Sequence, residues 1–317
     1  MKRYVARRLL AAIPTLLGLS FLIFALVSAA PGDPAEELAR RLAASQEPTP
    51  ADILSARHEL HLDKPFLVQY VTWLRDLATG DLGISFSRKL PVAGLIRDRV
   101  GSTVELASAA LALIVVFSVP LGLLAAIYHR RWPDHLLRAF SLLGASMPGF
   151  FFAYLLIIWL VTHLKLLPVA GRHGLASLVM PAIVVAVGPT AVISRLIRSS
   201  LLEVFGEDYM RTARSKGLGD ITVIVRHGLR NAAIPVLTLM GGLVGALLEG
   251  VVITEFIFAW PGLGSLTFEA ISQRDYPMIQ AVVMLAGTVY VLVNLLVDIS
   301  YAVVDPRVRL EGSLERV

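Results

Sequence analysis

The sequence predicts an all-α integral membrane protein with six transmembrane helices. Three observations carry that expectation. Of 317 residues, 56% are hydrophobic and only 17% are charged, which is too apolar for an ordinary soluble domain. Six uncharged runs, at 9–30, 106–128, 139–162, 174–194, 232–248 and 276–297, each approach or exceed the ~20 residues needed to cross ~30 Å of hydrocarbon. Lys and Arg gather beside the ends of those runs, so the net charge of +5 reads as membrane topology rather than as a nucleic-acid surface. Cysteine is absent, which excludes disulfides and thiolate metal sites.

The elements follow in order. Lys2, Arg3, Arg7 and Arg8 precede the first run, which is too long for the core of a signal peptide and leads into Pro31-Gly32-Asp33-Pro34. Residues 1–30 are therefore read as the N-terminus and a retained first span. Residues 31–100 form a long helical loop. Within it, Thr49-Pro50-Ala51-Asp52 combines an N-cap, a proline at the first helical position and an acid at the third. Asp63-Lys64-Pro65 ends that helix, and Phe66, Tyr70, Trp73 and Leu77 share one face of the next. That aromatic stripe is expected to pack on the loop's own helices, the sharper alternative being contact with an external protein or substrate. Gly80-Asp81-Leu82-Gly83 then turns the chain back. Residues 101–303 form the membrane core and 304–317 a tail. Pro120, Pro148, Pro181, Pro189 and Pro235 interrupt its helices, which neighbouring helices or polar groups must accommodate.

Orientation comes from the short loops. With the N-terminus inside, Arg130, Arg131, Arg138, the seven positive residues from Arg195 to Arg230, and Arg307, Arg309 and Arg316 are all cytoplasmic. The opposite side keeps Lys165, Arg172 and Arg274 in its short loops, and the long loop 31–100 is discounted because long segments translocate largely regardless of charge. Both termini are expected in the cytoplasm.

The most polar interruption of the core lies at 205–235, inside a cytoplasmic loop taken as 199–231. Glu207 and Asp208 open a short helix, and Arg211, Arg214 and Lys216 crowd its end, the order favoured by the helix dipole. Gly217 supplies a left-handed stop. Asp220 can cap a second helix with Ile221, Ile224, Val225 and Leu229 on one side and Thr222, Arg226 and Arg230 on the other. Such an element is an exposed docking device held by membrane helices, and Tyr209, Ala213 and Gly217, four apart, are expected to share its docking face.

The run Asp208-Tyr209-Met210-Arg211-Thr212-Ala213-Arg214-Ser215-Lys216-Gly217-Leu218, followed by Arg226-His227, Leu229-Arg230-Asn231-Ala232 and Ile234-Pro235, resembles the EAA loop of ABC-importer permeases. Where the general motif has Glu-Ala-Ala before the glycine, this chain has Arg211-Thr212-Ala213, and its proline lies farther downstream. Both departures suit the dipeptide/oligopeptide/nickel subgroup. The resemblance covers nearly the whole chain. Arg7-Arg8-Leu9, Pro14 and Pro31-Gly32-Asp33-Pro34 are similar to the family's opening, and Gly80-Asp81-Leu82-Gly83-Ile84-Ser85 to its first-loop signature. Phe258-Ala259-Trp260-Pro261-Gly262-Leu263-Gly264, Arg274-Asp275-Tyr276-Pro277 and Asp305-Pro306-Arg307 are similar to its last outer loop and exit.

That resemblance implies a permease subunit, the first of two paired permeases, in a bacterial or archaeal cytoplasmic (inner) membrane. It implies an extracytoplasmic loop after the first span and a cytoplasmic coupling helix that meets an ATPase through Glu207, Asp208, Tyr209, Arg211, Thr212, Ala213, Arg214, Lys216 and Gly217. Partners are a second homologous permease, two ABC ATPase subunits, an extracytoplasmic substrate-binding protein and the lipid bilayer, with no nucleic acid. ATP and Mg would sit on the ATPases; the chain itself would bind no cofactor and catalyse nothing. The substrate is a di- or oligopeptide, or alternatively nickel or a metal chelate. An ATP-independent secondary transporter would instead carry its own coupling-ion site and an internal repeat, neither of which is clear in the sequence.

The candidate pathway residues are Glu249, Glu255, Met147 and Asn294. Glu249 follows Gly241-Gly242-Leu243-Val244-Gly245, which lets helices approach closely. Pore lining, a buried structural hydrogen bond and interfacial exposure all remain open for it. Glu255 is expected near the outer interface, where exposure costs little, and Asn294 shares a face with Asp298. His58-Glu59-Leu60-His61 has one residue too few for a zinc-protease motif and reads as a solvated helix face. No Gly-Lys dipeptide occurs, so no phosphate-binding P-loop can be written. No Gly-x-Ser-x-Gly elbow occurs either, and Gly144-Ala145-Ser146-Met147-Pro148 reads as a kinked, small-residue helix contact.

Overall fold

The structure, a computed structural model, describes residues 2–43, 47–217, 219 and 222–304. Its helices are α1 (Lys2–Ser28), α2 (Pro34–Leu42), α3 (Pro50–Glu59), α4 (Phe66–Thr79), α5 (Val92–Ile127), α6 (Trp132–Ser146) and α7 (Gly149–Leu156), which continues as a π-helical stretch, Ile157–His163. After them come α8 (Leu175–Gly206), α9 (Asp208–Ser215), a second π-helical stretch (Val223–Leu229), α10 (Arg230–Ile257), α11 (Leu263–Ser272) and α12 (Tyr276–Val304). Among the described residues β structure is confined to one isolated bridge, Ile84 to Pro91.

Among the described residues, four stretches are long and apolar enough to cross a membrane: Ala6–Ser28, Val92–Ile127, Leu175–Gly206 and Tyr276–Val297. Helix α6 and the segment Gly149–His163, bent by 108°, make a fifth if taken as one broken span. The expected straight run at 139–162 is therefore two helices. The cause is Pro148, which crowds the residue before it out of the helical region; Met147 sits at φ −89°, ψ 122°. The expected run at 232–248 falls within α10, whose side chains are described only in part, and α10 is not among the counted stretches. The tail residues 305–317, with Asp305-Pro306-Arg307, lie outside the described residues.

The chain forms two compact units. The first comprises Met1–Tyr4, Thr103–Trp260 and Val293–Val317. Its core is organised on α8, where Val185, Ile193, Ile197 and Leu201 pack with Leu106 and Ile114 of α5 and Val236 and Val251 of α10. Close approach is possible because the contacts are small. A Cβ on Gly144 of α6 would lie 2.9 Å from the Ala191 Cβ, and one on Gly122 of α5 would lie 2.7 Å from the Ser194 carbonyl oxygen. Pro181 and Pro189 sit inside α8 without ending it.

The second unit comprises Val5–Ser102 and Pro261–Leu292. Here α5 begins well before the expected 106, because Val92, Leu95 and Ile96 are spaced to bury against Leu266, Ala270, Met278 and Val282. The capping box at α3 forms as expected: the Thr49 hydroxyl accepts from the Asp52 N–H (3.3 Å) and the Asp52 carboxylate from the Thr49 N–H (2.9 Å). The aromatic stripe does not pack on the loop's own helices. Phe66, Tyr70 and Trp73 stack on Phe24 of α1, with ring centroids 5.4, 5.7 and 5.5 Å away, and Phe21 adds edge contacts to Phe66 and Tyr70. The first span supplies the aromatic partners, and a Ser20–Tyr70 hydroxyl pair (2.9 Å) fixes the register.

Candidate functional site

The polar element begins where α8 ends. Glu207 takes an extended conformation (φ −73°, ψ 145°), and α9 restarts at once with Asp208 in its first turn. Met210 and Ala213 turn inward and meet Val223, Val204 and Phe205. Asp208, Tyr209, Arg211, Thr212, Ser215 and Lys216 stay exposed. Gly217 has φ +78°, the left-handed conformation the sequence calls for. The expectation that Tyr209, Ala213 and Gly217 form one outer face needs correction. Ala213 is only 7% exposed, because the apolar pair of Met210 and Ala213 defines the buried side. The Tyr209 hydroxyl instead accepts from the Asn231 side chain at 3.2 Å. The Arg211–Asp208 pair, 3.8 Å apart and solvent-exposed, adds little. The side chain of Arg214 lies outside the described residues.

The second half of the element also differs from expectation. Asp220 and Ile221 lie outside the described residues. From Val223 to Leu229 the chain is π-helical, and the buried positions are Val223 and Gly228, five apart, rather than Ile224, Val225 and Leu229. Val225 is exposed. Gly228 lies against Phe205, Leu201 and Met210, where a Cβ would make ordinary contacts of 3.4–3.8 Å. The wider π-helical turn thus brings Val223 onto α9 and Gly228 onto the end of α8. A pattern searched for at helical period 3.6 cannot find this.

Met147, half-buried, sits at the bend between α6 and α7. Asn294 is half-buried on α12. The Glu249 side chain lies outside the described ones. Glu255 is not exposed at an interface as expected: it is fully buried, and Thr103 of α5 donates to its carboxylate at 2.7 Å. Paired in this way, a carboxylate can be kept from water.

Two buried aspartates receive no role from the sequence reading. Asp134, in the first turn of α6, is 0% exposed. Arg198 of α8 grips it with two bonds, Nε to Oδ1 at 2.5 Å and Nη2 to Oδ2 at 2.9 Å. Arg138 adds bonds of 3.3 and 3.1 Å, and the Arg130 N–H one of 2.9 Å. Asp275, between α11 and α12, is 1% exposed and accepts from the hydroxyls of Ser85 (2.5 Å) and Ser87 (2.7 Å) and from the N–H groups of Phe86 (3.1 Å) and Ser87 (3.0 Å). Burial pushes the Asp275 carboxyl up, but these donors outweigh it and hold the group below the usual 3.8. The two stretches matched to the family separately, 80–85 and 274–277, are thereby joined. The same unit contains a cavity of ≈ 680 Å³ walled in part by Phe24, Phe66, Trp73 and Tyr276, with the ion-paired Asp33 and Arg57 also in its lining.

Comparison with known proteins now gives this geometry its context. Residues 118–310 match the family model for the binding-protein-dependent transport system inner membrane component, and residues 1–107 match the N-terminal model of the same kind of transport protein. The chain is 40% identical to the dipeptide transport system permease protein DppB of Escherichia coli (strain K12), across 98% of this chain and 99% of that one. It is also 40% identical to the glutathione transport system permease protein GsiC of Escherichia coli O6:H1, with the same coverage. A crystal structure of an amino acid ABC transporter with histidines superposes with a TM-score of 0.46 at 15% identity, covering 68% of this chain and 94% of that one. By family match across most of its length and by near-full-length identity, this chain belongs to the inner membrane permease components of binding-protein-dependent transport systems.

Proposed function

We propose that the chain forms half of the pore of an ATP-driven importer of short peptides, pairing with a homologous permease above two ATPases and beneath a substrate-binding protein. The observation that carries the substrate is the near-full-length identity to two relatives, one named for dipeptides and one for glutathione, itself a tripeptide. In this reading the six spans are α1, α5, the bent pair of α6 with Gly149–His163, α8, α10 and α12. Both termini and α9 are cytoplasmic in this reading, which the Lys and Arg distribution supports.

The docking surface is the exposed side of α9, namely Asp208, Tyr209, Arg211, Thr212, Ser215 and Lys216, with Glu207 leading in and Gly217 closing. Arg214 completes the charged end of the same helix. Ala213 supports this surface from within. ATP-driven closure of the ATPases moves α9, and the membrane helices exchange inward for outward access, a change biased by peptide affinity for one state. Glu249, Met147 and Asn294 are the proposed pathway positions, and Glu255 serves as a buried structural acceptor. ATP and Mg belong to the ATPases.

The test is uptake by the complex purified through a tag on this chain and reconstituted in vesicles with its binding protein. Labelled dipeptide should accumulate only with ATP, and excess unlabelled dipeptide, but not chelated nickel, should compete. ATP-dependent nickel uptake without peptide uptake would replace the peptide reading with the metal one.

A further inference from the structure

We propose that Asp134 and Arg198 are positioning residues that make α6 and α8 move as one body, so that displacement of α9 reaches the bend at Met147–Pro148. The inference rests on the transport reading above. The ion cluster ties the first turn of α6 to α8 across 64 residues of sequence. A second attachment lies farther along α6 and nearer the start of α8: Gly144 abuts Ala191, and the Ser141 hydroxyl donates to the Ala191 carbonyl at 3.1 Å. On α8 the two attachments are seven residues apart, about 10 Å at 1.5 Å per residue. One point of contact permits a pivot; two points this far apart oppose both rotation and sliding.

The chemistry of the first attachment supports a register function over simple stabilisation. A buried ion pair contributes little net stability compared with well-packed apolar residues, because both charges lose water. Its best-attested use is to fix one arrangement among several. Arg198 is only 14% exposed and bidentate, so it discriminates position on α8 more sharply than an apolar contact would. Arg138, on the same helix as Asp134, adds a second guanidinium facing the carboxylate, and the His129 ring lies 3.4 Å away. Arg198 also stands eight residues before the end of α8 at Gly206, two residues before α9 begins. Leu201 and Phe205, on the segment between, pack against Gly228 of the polar element. The mechanical path from α9 to α6 is therefore short and contiguous.

The experiment uses the reconstituted full complex and reads dipeptide taken up per ATP hydrolysed. The Asp134→Asn variant should assemble and retain basal ATP hydrolysis within about twofold, while uptake per ATP falls at least fivefold. Arg198→Lys, which keeps the charge but not the bidentate grip, should fall less, about twofold to threefold. If Asp134→Asn does not assemble, Arg198→Lys decides the matter alone. A purely structural role predicts lower thermal stability with uptake and hydrolysis reduced in proportion; an unchanged ratio in the assembled variants overturns the proposal. A wild-type complex that hydrolyses ATP but takes up no peptide overturns the transport reading instead, and the inference with it.

Discussion

Asp134 and Asp275 are both buried, and each joins segments distant in sequence, but their partners differ in kind. Asp275 is held by hydroxyls and backbone N–H groups of three consecutive residues, Ser85 to Ser87. Those donors are short, neutral and fixed to the backbone, so only one geometry satisfies them all. Asp134 is held by two guanidinium groups on long side chains, with a backbone N–H as support. Charge attraction falls off slowly with distance and keeps the pair closed, while the bidentate Arg198 grip sets one register between α6 and α8. The first arrangement suits a joint inside one static unit, the second a joint that carries α6 and α8 together while other helices shift. The contrast teaches that burial alone does not reveal what a carboxylate is for; the stiffness and charge of its partners do.

The largest expected effect breaks the static joint. Asp275→Ala would strand several buried donors, and the loss should be about 3 kcal/mol, read as a lower unfolding temperature in detergent. Asp275→Asn, which keeps an acceptor oxygen, should lose less and leave uptake per ATP unchanged, unlike the corresponding change at Asp134. A fall in that ratio at Asp275 would erase the distinction between the two sites.

A smaller effect follows from titration. The folded Asp275 carboxyl lies below its ordinary 3.8, so the unfolded chain binds the proton more readily than the folded one. The stability it contributes is fully present above 3.8 and is lost as pH falls through the lower folded value. The difference in unfolding temperature between wild type and Asp275→Asn should therefore stay constant from about pH 8 to pH 5 and narrow only below 3.8. A difference that narrows already near neutral pH would show that the donors do not hold the charged form.

How far these features are legible in the sequence depends on their range. The apolar runs, the capping box at Thr49 and the stop at Gly217 are local and are read directly. The inward turn of Ala213 is not, because helical spacing allows it to side with Tyr209 or with Met210, and the π-helical placement of Val223 decides between them. Asp134 has a ready local explanation as a first-turn acid, which hides Arg198 on another helix. Glu255 near the end of α10 suggests exposure until Thr103 is brought against it. The aromatic stripe shows its periodicity, but its partners Phe21 and Phe24 lie in an uncharged, mostly apolar run where no face stands out. Local chemistry is visible; the choice of distant partner is made by packing.

The central claim, that α9 is the cytoplasmic contact with an ATPase, is tested most directly by site-specific cross-linking. The chain has no cysteine, so a photoreactive thiol label can be placed cleanly. Ser215 and Arg75 are both exposed, the first on α9 and the second on α4. In the native-membrane complex, a label on a Ser215→Cys variant should capture an ATPase subunit, while one on an Arg75→Cys variant should capture none and should react with an impermeant reagent from outside. Capture of the ATPase from position 75, or labelling of position 215 from outside the cell, would contradict the account.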